Sequence, residues 1–204
     1  MPFDSRKAVD DFLSGNGIPN AGDSKRLAAV VRSVASIPFG EGRTLRDVLE
    51  TRKAGTCTGK HLLLKACLVE LGIECREVAC TFKWDEQKIR YPPNMQAILD
   101  EGGWEHGHNF LQLKISGRWV DVDVTWNPQL RPYGFRAFPE DWDAKTHHVG
   151  LDRIITRWDG VDVMDQKRHF ISSLAPEIRG RRERFLKALF EWTGAINRVA
   201  NTIR

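Results

Sequence analysis

Cysteine is scarce in this sequence, and the cysteines present do not form a metal-binding motif. The four cysteines occupy positions 57, 67, 75 and 80, with no CxxC pair and no interleaved histidines. A zinc finger built from these cysteines is therefore excluded. Because no secretory leader is recognisable, we expect the thiols to be reduced, and we assign no disulfide.

Long apolar runs are also absent. The first residues, MPFDSRKAVDDFL, mix charged and apolar side chains at once. A secretory signal or a membrane-spanning segment needs an uninterrupted apolar stretch. The sequence therefore predicts a cytoplasmic protein that does not enter a membrane.

An excess of charge of one sign is missing as well. The net charge is +4 over 204 residues. The one dense basic run, RGRRER at 179–184, has the spacing of a solvated face on an amphipathic helix. No nucleic-acid-binding motif accompanies this run, so we expect no nucleic-acid partner.

Apolar residues, by contrast, are plentiful enough for one substantial core. They make up 41% of the chain and include seven Trp and ten Phe residues, which is typical of a globular protein. We predict a single domain over residues 1–204, with its core at about 45–127. Helical extensions are predicted at the N-terminus, 1–52, and at the C-terminus, 165–204.

The middle of the chain contains both helix and strand patterns. Over 57–71 apolar residues cover most faces of a helix, which Gly72 ends. Residues 74–82 alternate loosely, as in a strand, and 154–163 predicts a further strand or two around a turn. The many Pro and Gly residues of 84–107 predict a long surface loop, a kind of segment that often carries function.

Two strands flanking Ser116-Gly117 form a predicted antiparallel hairpin that brings a histidine and two carboxylates to one face. Alternation assigns six apolar residues to the core face: Leu111, Leu113, Ile115, Val120, Val122 and Val124. Pairing these two sets requires a turn of two or four residues. His108 then shares the opposite face with Asp121 and Asp123. In either register Asp123 is the nearer carboxylate, within about 4.5–8 Å.

Cys57 is the candidate nucleophile because it begins the predicted helix. The free N–H groups and the dipole of a helix start stabilise a thiolate, which is the reactive form of cysteine. The flanking Gly55 and Gly59 leave space for a substrate backbone, and nearby Lys60 and His61 are candidates to add positive potential. The other three cysteines lack this setting, so we expect them to be buried apolar residues.

The order of these motifs resembles the transglutaminase-like superfamily. A GTC triplet precedes an apolar helix ending in LGI, and a His opening a strand precedes GRWVDVDVTW, all within about 45–127. The resemblance implies a papain-like α+β fold, in which a buried helix beginning with the Cys packs on an antiparallel sheet, with extra N- and C-terminal helices. It implies Cys57 as nucleophile, His108 as base and Asp123 as the residue that orients the imidazole. His106 is a second candidate for the base, because the chain reads His-Asn-Phe where the family commonly has His-Ala-Trp.

Enzymes of this family also supply an oxyanion donor from upstream of the Cys, often a Trp or Gln side chain. Residues 1–56 contain neither. The donor must then be backbone N–H groups, such as that of Cys57, or another side chain. For substrate binding we predict Gly55 together with Trp104 and Trp126, which along with Trp84 are candidate cleft walls.

Together these residues predict transfer or hydrolysis of the acyl group of a peptide, isopeptide or side-chain amide through a thioester, without a cofactor. The expected partner is a peptide or protein amide, and the oligomeric state stays open. One rival hypothesis is an inactive binding module with the same fold. Another is a metal site at His106, His108, Asp121 and Asp123, which requires the first strand to extend back to residue 106.

Overall fold

The computed structural model describes residues 3–18 and 23–202 and has an antiparallel sheet between two groups of helices. The strands follow the order β3-β2-β1-β4. They are β1 (Cys75–Lys83), β2 (Glu105–Ile115), β3 (Arg118–Val122) and β4 (Thr156–Asp159). The helices are α1 (Ser5–Gly15), α2 (Asp23–Ser36), α3 (Cys57–Glu70), α4 (Pro93–Asp100), α5 (Val163–Ser173) and α6 (Pro176–Thr202). This mixture of helices and antiparallel sheet confirms the predicted α+β, papain-like fold.

The first three helices cover one face of the sheet. Their apolar side chains form a core with Leu111, Leu113, Val120 and Val122, which are four of the six residues that alternation assigned to the core face. Helix α3 is buried on most sides, as its composition predicted, and its central residues, Leu63 to Leu68, include four that are fully buried. A helix surrounded in this way holds its first residue firmly in place.

The opposite face of the sheet carries a second core. Val78, Cys80 and Phe82 of β1 pack there with Phe110 of β2 and with apolar residues of α4 and α6. Helix α6 confirms the predicted C-terminal helix and buries Phe185 and Leu189, among others. No helix within the described part of the chain has both the length and the apolar character needed to cross a bilayer.

The β2–β3 hairpin has the shorter of the two predicted turns. Ile115 pairs with Arg118, so the turn consists of Ser116 and Gly117. Their φ angles are 50° and 78°, and two positive φ angles are typical of the tight turn that matches the twist of the strands. The hairpin prediction is therefore confirmed, and β2 extends back to Glu105, past His106.

The predicted loop over 84–107 was wrong in part. It contains a 3₁₀ turn at Trp84–Glu86 and the helix α4, and its last residues belong to β2. Pro93 occupies the first turn of α4, where a missing N–H costs nothing and a fixed φ favours the helix. Gly102, with a φ of 125°, follows the end of α4. The Pro and Gly residues thus mark the boundaries of a helix rather than one long loop.

Candidate active site

The start of α3 is fixed by contacts of Thr56, the residue before Cys57. The Thr56 N–H donates to the Gly42 carbonyl over 2.8 Å. Its hydroxyl oxygen accepts a hydrogen bond from the Gly59 N–H over 3.3 Å, as an N-cap residue does. Cys57 is therefore the first residue of the helix, as predicted, and its sulfur lies in the positive field of the helix start.

The two glycines beside Cys57 make room for the protein's own chain rather than for substrate. A Cβ on Gly59 would lie 2.4 Å from the Gly42 carbonyl oxygen, and one on Gly55 would lie 2.8 Å from Cγ of Lys60. Both distances are too short for real contacts. The predicted role of these glycines in leaving space for a substrate is therefore corrected to close packing of the helix start.

His108 and Asp123 meet in a short, buried hydrogen bond. Nε2 of His108 lies 2.7 Å from Oδ2 of Asp123, and the two side chains are 3% and 0% exposed. The same carboxylate accepts hydrogen bonds from the Gly150 N–H and from the N–H and hydroxyl of Thr125. Burial alone would raise the pKa of Asp123, but His108 and these donors hold that pKa far below its usual range. The carboxylate is thus ionised and fixed in direction.

Lys167 of α5 completes the site, and sequence reasoning missed it. Its Nζ lies 3.3 Å from Sγ of Cys57 and 2.7 Å from the hydroxyl of Thr58, and it also donates to Oδ1 of Asn109. Lys167 is 110 positions from Cys57 in the chain. No local pattern links two residues at that separation, so only the tertiary structure reveals the contact.

The charges around Cys57 favour a thiolate paired with an imidazolium. Burial alone would raise the pKa of the Cys57 thiol, but the positive charges of Lys167 and His108 lower it to about 6. Burial alone would lower the pKa of His108, but Asp123 and then Cys57 raise it to about 9. Because Nε2 of His108 is bound to Asp123, Nδ1 is the nitrogen left for Cys57. At neutral pH the sulfur is therefore negative and the ring is positive.

Lys60 and His61, which we predicted as candidates to add positive potential, are not among the groups that lower the pKa of Cys57. Lys60 is buried, which lowers its pKa well below the usual value, and its Nζ donates to the carbonyls of Ala35, Ile37 and Thr125. Burial lowers the pKa of His61 to about 4. One ring nitrogen of His61 contacts the Cys57 carbonyl and the other accepts the Val124 N–H, so the ring is neutral and structural.

The structure assembles neither His106 as an alternative base nor the predicted metal site at His106, His108, Asp121 and Asp123. His106 shares a sheet face with His108, but its ring packs on Phe82 and Trp84, and burial keeps the pKa of His106 well below its usual value. Asp121 is occupied by a bidentate pair with Arg157. Within 3–18 and 23–202, no three His, Cys, Asp or Glu side chains are grouped for a metal ion.

The tryptophans predicted as cleft walls lie in the core instead. Trp84, Trp104 and Trp126 are 3%, 4% and 3% exposed, and all three belong to the second apolar core. Nε1 of Trp126 donates to the Gly150 carbonyl over 2.8 Å, next to the Gly150 N–H that binds Asp123. Trp126 is thus a core residue that supports the segment binding the Asp123 carboxylate.

The remaining cysteines differ from Cys57 in their surroundings. Cys67 and Cys80 are buried, as predicted, whereas Cys75 is partly exposed. Burial raises the pKa of Cys67 to about 12 and that of Cys80 further still, and it also raises the pKa of Cys75. Of the four cysteines, Cys57 is therefore the one whose thiol pKa is lowered.

Comparison with known proteins shows which family the chain belongs to. A solved structure titled "Crystal structure of a TGase" aligns with a TM-score of 0.42 and 14% identity, over 59% of this chain and 31% of that one. The chain thus spans about a third of the length of that protein. A search of curated protein sequences found no match. The model of the transglutaminase-like superfamily matches residues 14–124, more than half of the chain, and the protein therefore belongs to the transglutaminase-like superfamily.

Proposed function

We propose that Cys57, His108 and Asp123 form a catalytic triad that transfers or hydrolyses the acyl group of an amide. The buried 2.7 Å bond between His108 and Asp123 is the observation that carries this proposal. A carboxylate on one nitrogen of a histidine fixes the tautomer and the direction of the ring, and it leaves the other nitrogen to handle a proton. Membership of the superfamily supports the coarser statement, a cysteine-based acyl transfer or hydrolysis.

The charges of the Cys57 thiolate and the His108 imidazolium determine the order of the steps in this reaction. The Cys57 thiolate attacks the amide carbonyl carbon, so that a C–S bond forms and the carbonyl π electrons move to oxygen. When the C–N bond breaks, the leaving nitrogen takes the proton from Nδ1 of His108, and a thioester remains on Cys57. Water or an amine then attacks the thioester and gives its proton to the neutral imidazole, which returns Cys57 to the thiolate and His108 to the imidazolium. Asp123 keeps Nε2 protonated throughout.

A peptide or protein amide is the substrate class that we propose. The nucleophile lies at a helix start on the surface side of the core, and it is partly exposed. The acceptor, water or an amine, distinguishes a hydrolase from an acyltransferase. Product analysis with and without added methylamine separates the two.

Labelling with an electrophilic acyl probe tests the triad. We expect rapid labelling of the wild type, none for Cys57→Ala, and labelling slowed by about 10²–10⁴-fold for His108→Ala. Cys75→Ala is the matched control, because Cys75 is also partly exposed but has a raised pKa. This control should label like the wild type. Equal labelling of all four proteins would reject the roles given to Cys57 and His108 and favour a binding module.

A further inference from the structure

Acyl transfer at Cys57 needs a donor for the oxyanion, and this chain lacks the usual one. When the thiolate attacks, the negative charge leaves sulfur and develops on the carbonyl oxygen, two bonds away. Preorganised donors at that oxygen are commonly the largest single contribution to the rate. The N–H of Cys57, in the first turn of α3, provides one donor. Residues 1–56 contain no Trp or Gln to provide a second.

The ammonium of Lys167 is held next to the place where this charge develops. Its three N–H groups point to Sγ of Cys57, to the hydroxyl of Thr58 and to the amide oxygen of Asn109. Thr58 and Asn109 are both uncharged, so they fix the position of Nζ without neutralising it. The three contacts also keep the flexible lysine side chain in one geometry, as a preorganised donor requires.

The ammonium of Lys167 differs from other basic groups of the chain in its partners. Its neighbour Arg168 pairs with Asp165, and many basic residues of the chain have a carboxylate within 4.0 Å, for example Arg52, Arg157 and Arg184. Lys167 has no such partner among the residues that the structure describes. Over 3–18 and 23–202, its one contact with an ionisable side chain is Sγ of Cys57, at 3.3 Å.

We propose that Lys167 is a catalytic residue that donates a hydrogen bond to the oxyanion of the tetrahedral intermediates. In the resting state the ammonium faces the thiolate. As the C–S bond forms, the charge passes from sulfur to the adjacent oxygen, and Nζ follows it over a short distance while Thr58 and Asn109 keep their hydrogen bonds. A residue on a helix after the sheet thus takes the place of the upstream donor. This inference rests on the acyl transfer proposed above.

Two reagents that attack Cys57 differently separate this role from simple stabilisation of the thiolate. Iodoacetamide alkylates sulfur at a saturated carbon, and no oxyanion forms. p-Nitrophenyl acetate acylates sulfur through a tetrahedral oxyanion. The pH dependence of each rate gives the thiol pKa and, on its plateau, the rate constant of the fully ionised thiolate.

The variants are Lys167→Met, Lys167→Arg and, as control on the same helix, Arg168→Met. For Lys167→Met we expect the plateau of alkylation to stay within about threefold of wild type, and the plateau of acylation to fall by about 10²–10³-fold. Lys167→Arg should restore part of the acylation because it keeps a charged donor. Arg168→Met should match the wild type with both reagents. The alkylation profile also reports that the site is folded in each variant.

Other outcomes overturn the inference in distinguishable ways. Equal changes with both reagents in Lys167→Met would mean that Lys167 acts on the thiolate alone. An increase with both would mean that its side chain merely covers the sulfur. If wild-type Cys57 is alkylated as a low-pKa thiol but is acylated no faster than a simple thiol, the proposed function itself fails, and the oxyanion role fails with it.

Discussion

The buried ammonium of Lys60 makes the replacement Lys60→Met a sensitive test of what holds the site together. Lys60 is 0% exposed, and Nζ donates to the carbonyl oxygens of Ala35, Ile37 and Thr125 over 2.9, 2.8 and 3.1 Å. Burial lowers the pKa of Lys60 well below its usual value, but three acceptors need three N–H donors, which the ammonium has and the neutral amine lacks. The three carbonyls therefore favour the charged form. Methionine has a similar length but no donor, so it leaves the three carbonyls without this partner.

The expected loss follows from two opposing contributions. Hydrogen bonds to a charged group are worth about 1.5–3 kcal/mol each, so three of them contribute about 5–9 kcal/mol. Keeping the ammonium out of water costs several kcal/mol, and methionine removes that cost. We therefore expect Lys60→Met to lower the free energy of unfolding by about 2–5 kcal/mol.

Urea unfolding followed by tryptophan fluorescence measures this loss. Lys65→Met is the matched control on the same helix, because the Lys65 side chain is 42% exposed and pairs with Glu77 over 3.3 Å. An exposed pair of this kind is worth about 0–1 kcal/mol. If Lys60→Met proves as stable as Lys65→Met or more so, the cost of burying the charge equals its bonds, and our reasoning about Lys60 is refuted.

Three further predictions concern the site and its support. Acylation of Cys57 by an amide should be bell-shaped in pH, because the thiol ionises near pH 6 and His108, which protonates the leaving nitrogen, loses its proton near pH 9. A single rise at the pH of a free thiol would contradict the ion pair. Asp123→Asn places an amide N–H group where the carboxylate accepted hydrogen bonds. It should slow acylation by about 10⁴-fold, measured by labelling, and lower the free energy of unfolding by about 3–5 kcal/mol, measured by urea unfolding. Unchanged labelling would remove Asp123 from the triad. Gly59→Ala, whose Cβ would lie 2.4 Å from a carbonyl oxygen, should destabilise the fold by about 1–3 kcal/mol. Gly180→Ala, with open space around it, should stabilise the fold by about 0.5–1 kcal/mol. Equal melting temperatures of the two variants would contradict the packing argument.

The hairpin shows why part of the site could be predicted from the sequence. Alternation of apolar residues restricted the register to two choices, and in both of them Asp123 was the carboxylate nearer to His108. The positive φ angles of Ser116 and Gly117 select the two-residue turn. The pairing of His108 with Asp123 could therefore be predicted from local periodicity, because both residues belong to one short antiparallel unit.

Contacts between distant segments could not be predicted in this way. Lys167 reaches Cys57 through the packing of α5 against the sheet, and no periodicity records that docking. Gly55 and Gly59 illustrate the same limit, since their neighbours Lys60 and Gly42 become visible only after the chain has folded back on itself. The sequence alone therefore does not distinguish a glycine that makes room for substrate from one that makes room for backbone.

The outer edge of β3 has a consequence for how the protein behaves at high concentration. The His148 N–H donates to the Asp121 carbonyl over 2.9 Å, and the Asp123 N–H donates to the His148 carbonyl over 3.0 Å, so an irregular segment covers the C-terminal end of this edge. The other edge strand, β4, has only four residues and carries the charged Arg157. Neither edge presents a long, flat row of free backbone groups. Only short stretches of the described edges are therefore open, which disfavours strand-by-strand addition of further copies, the route by which open sheets aggregate.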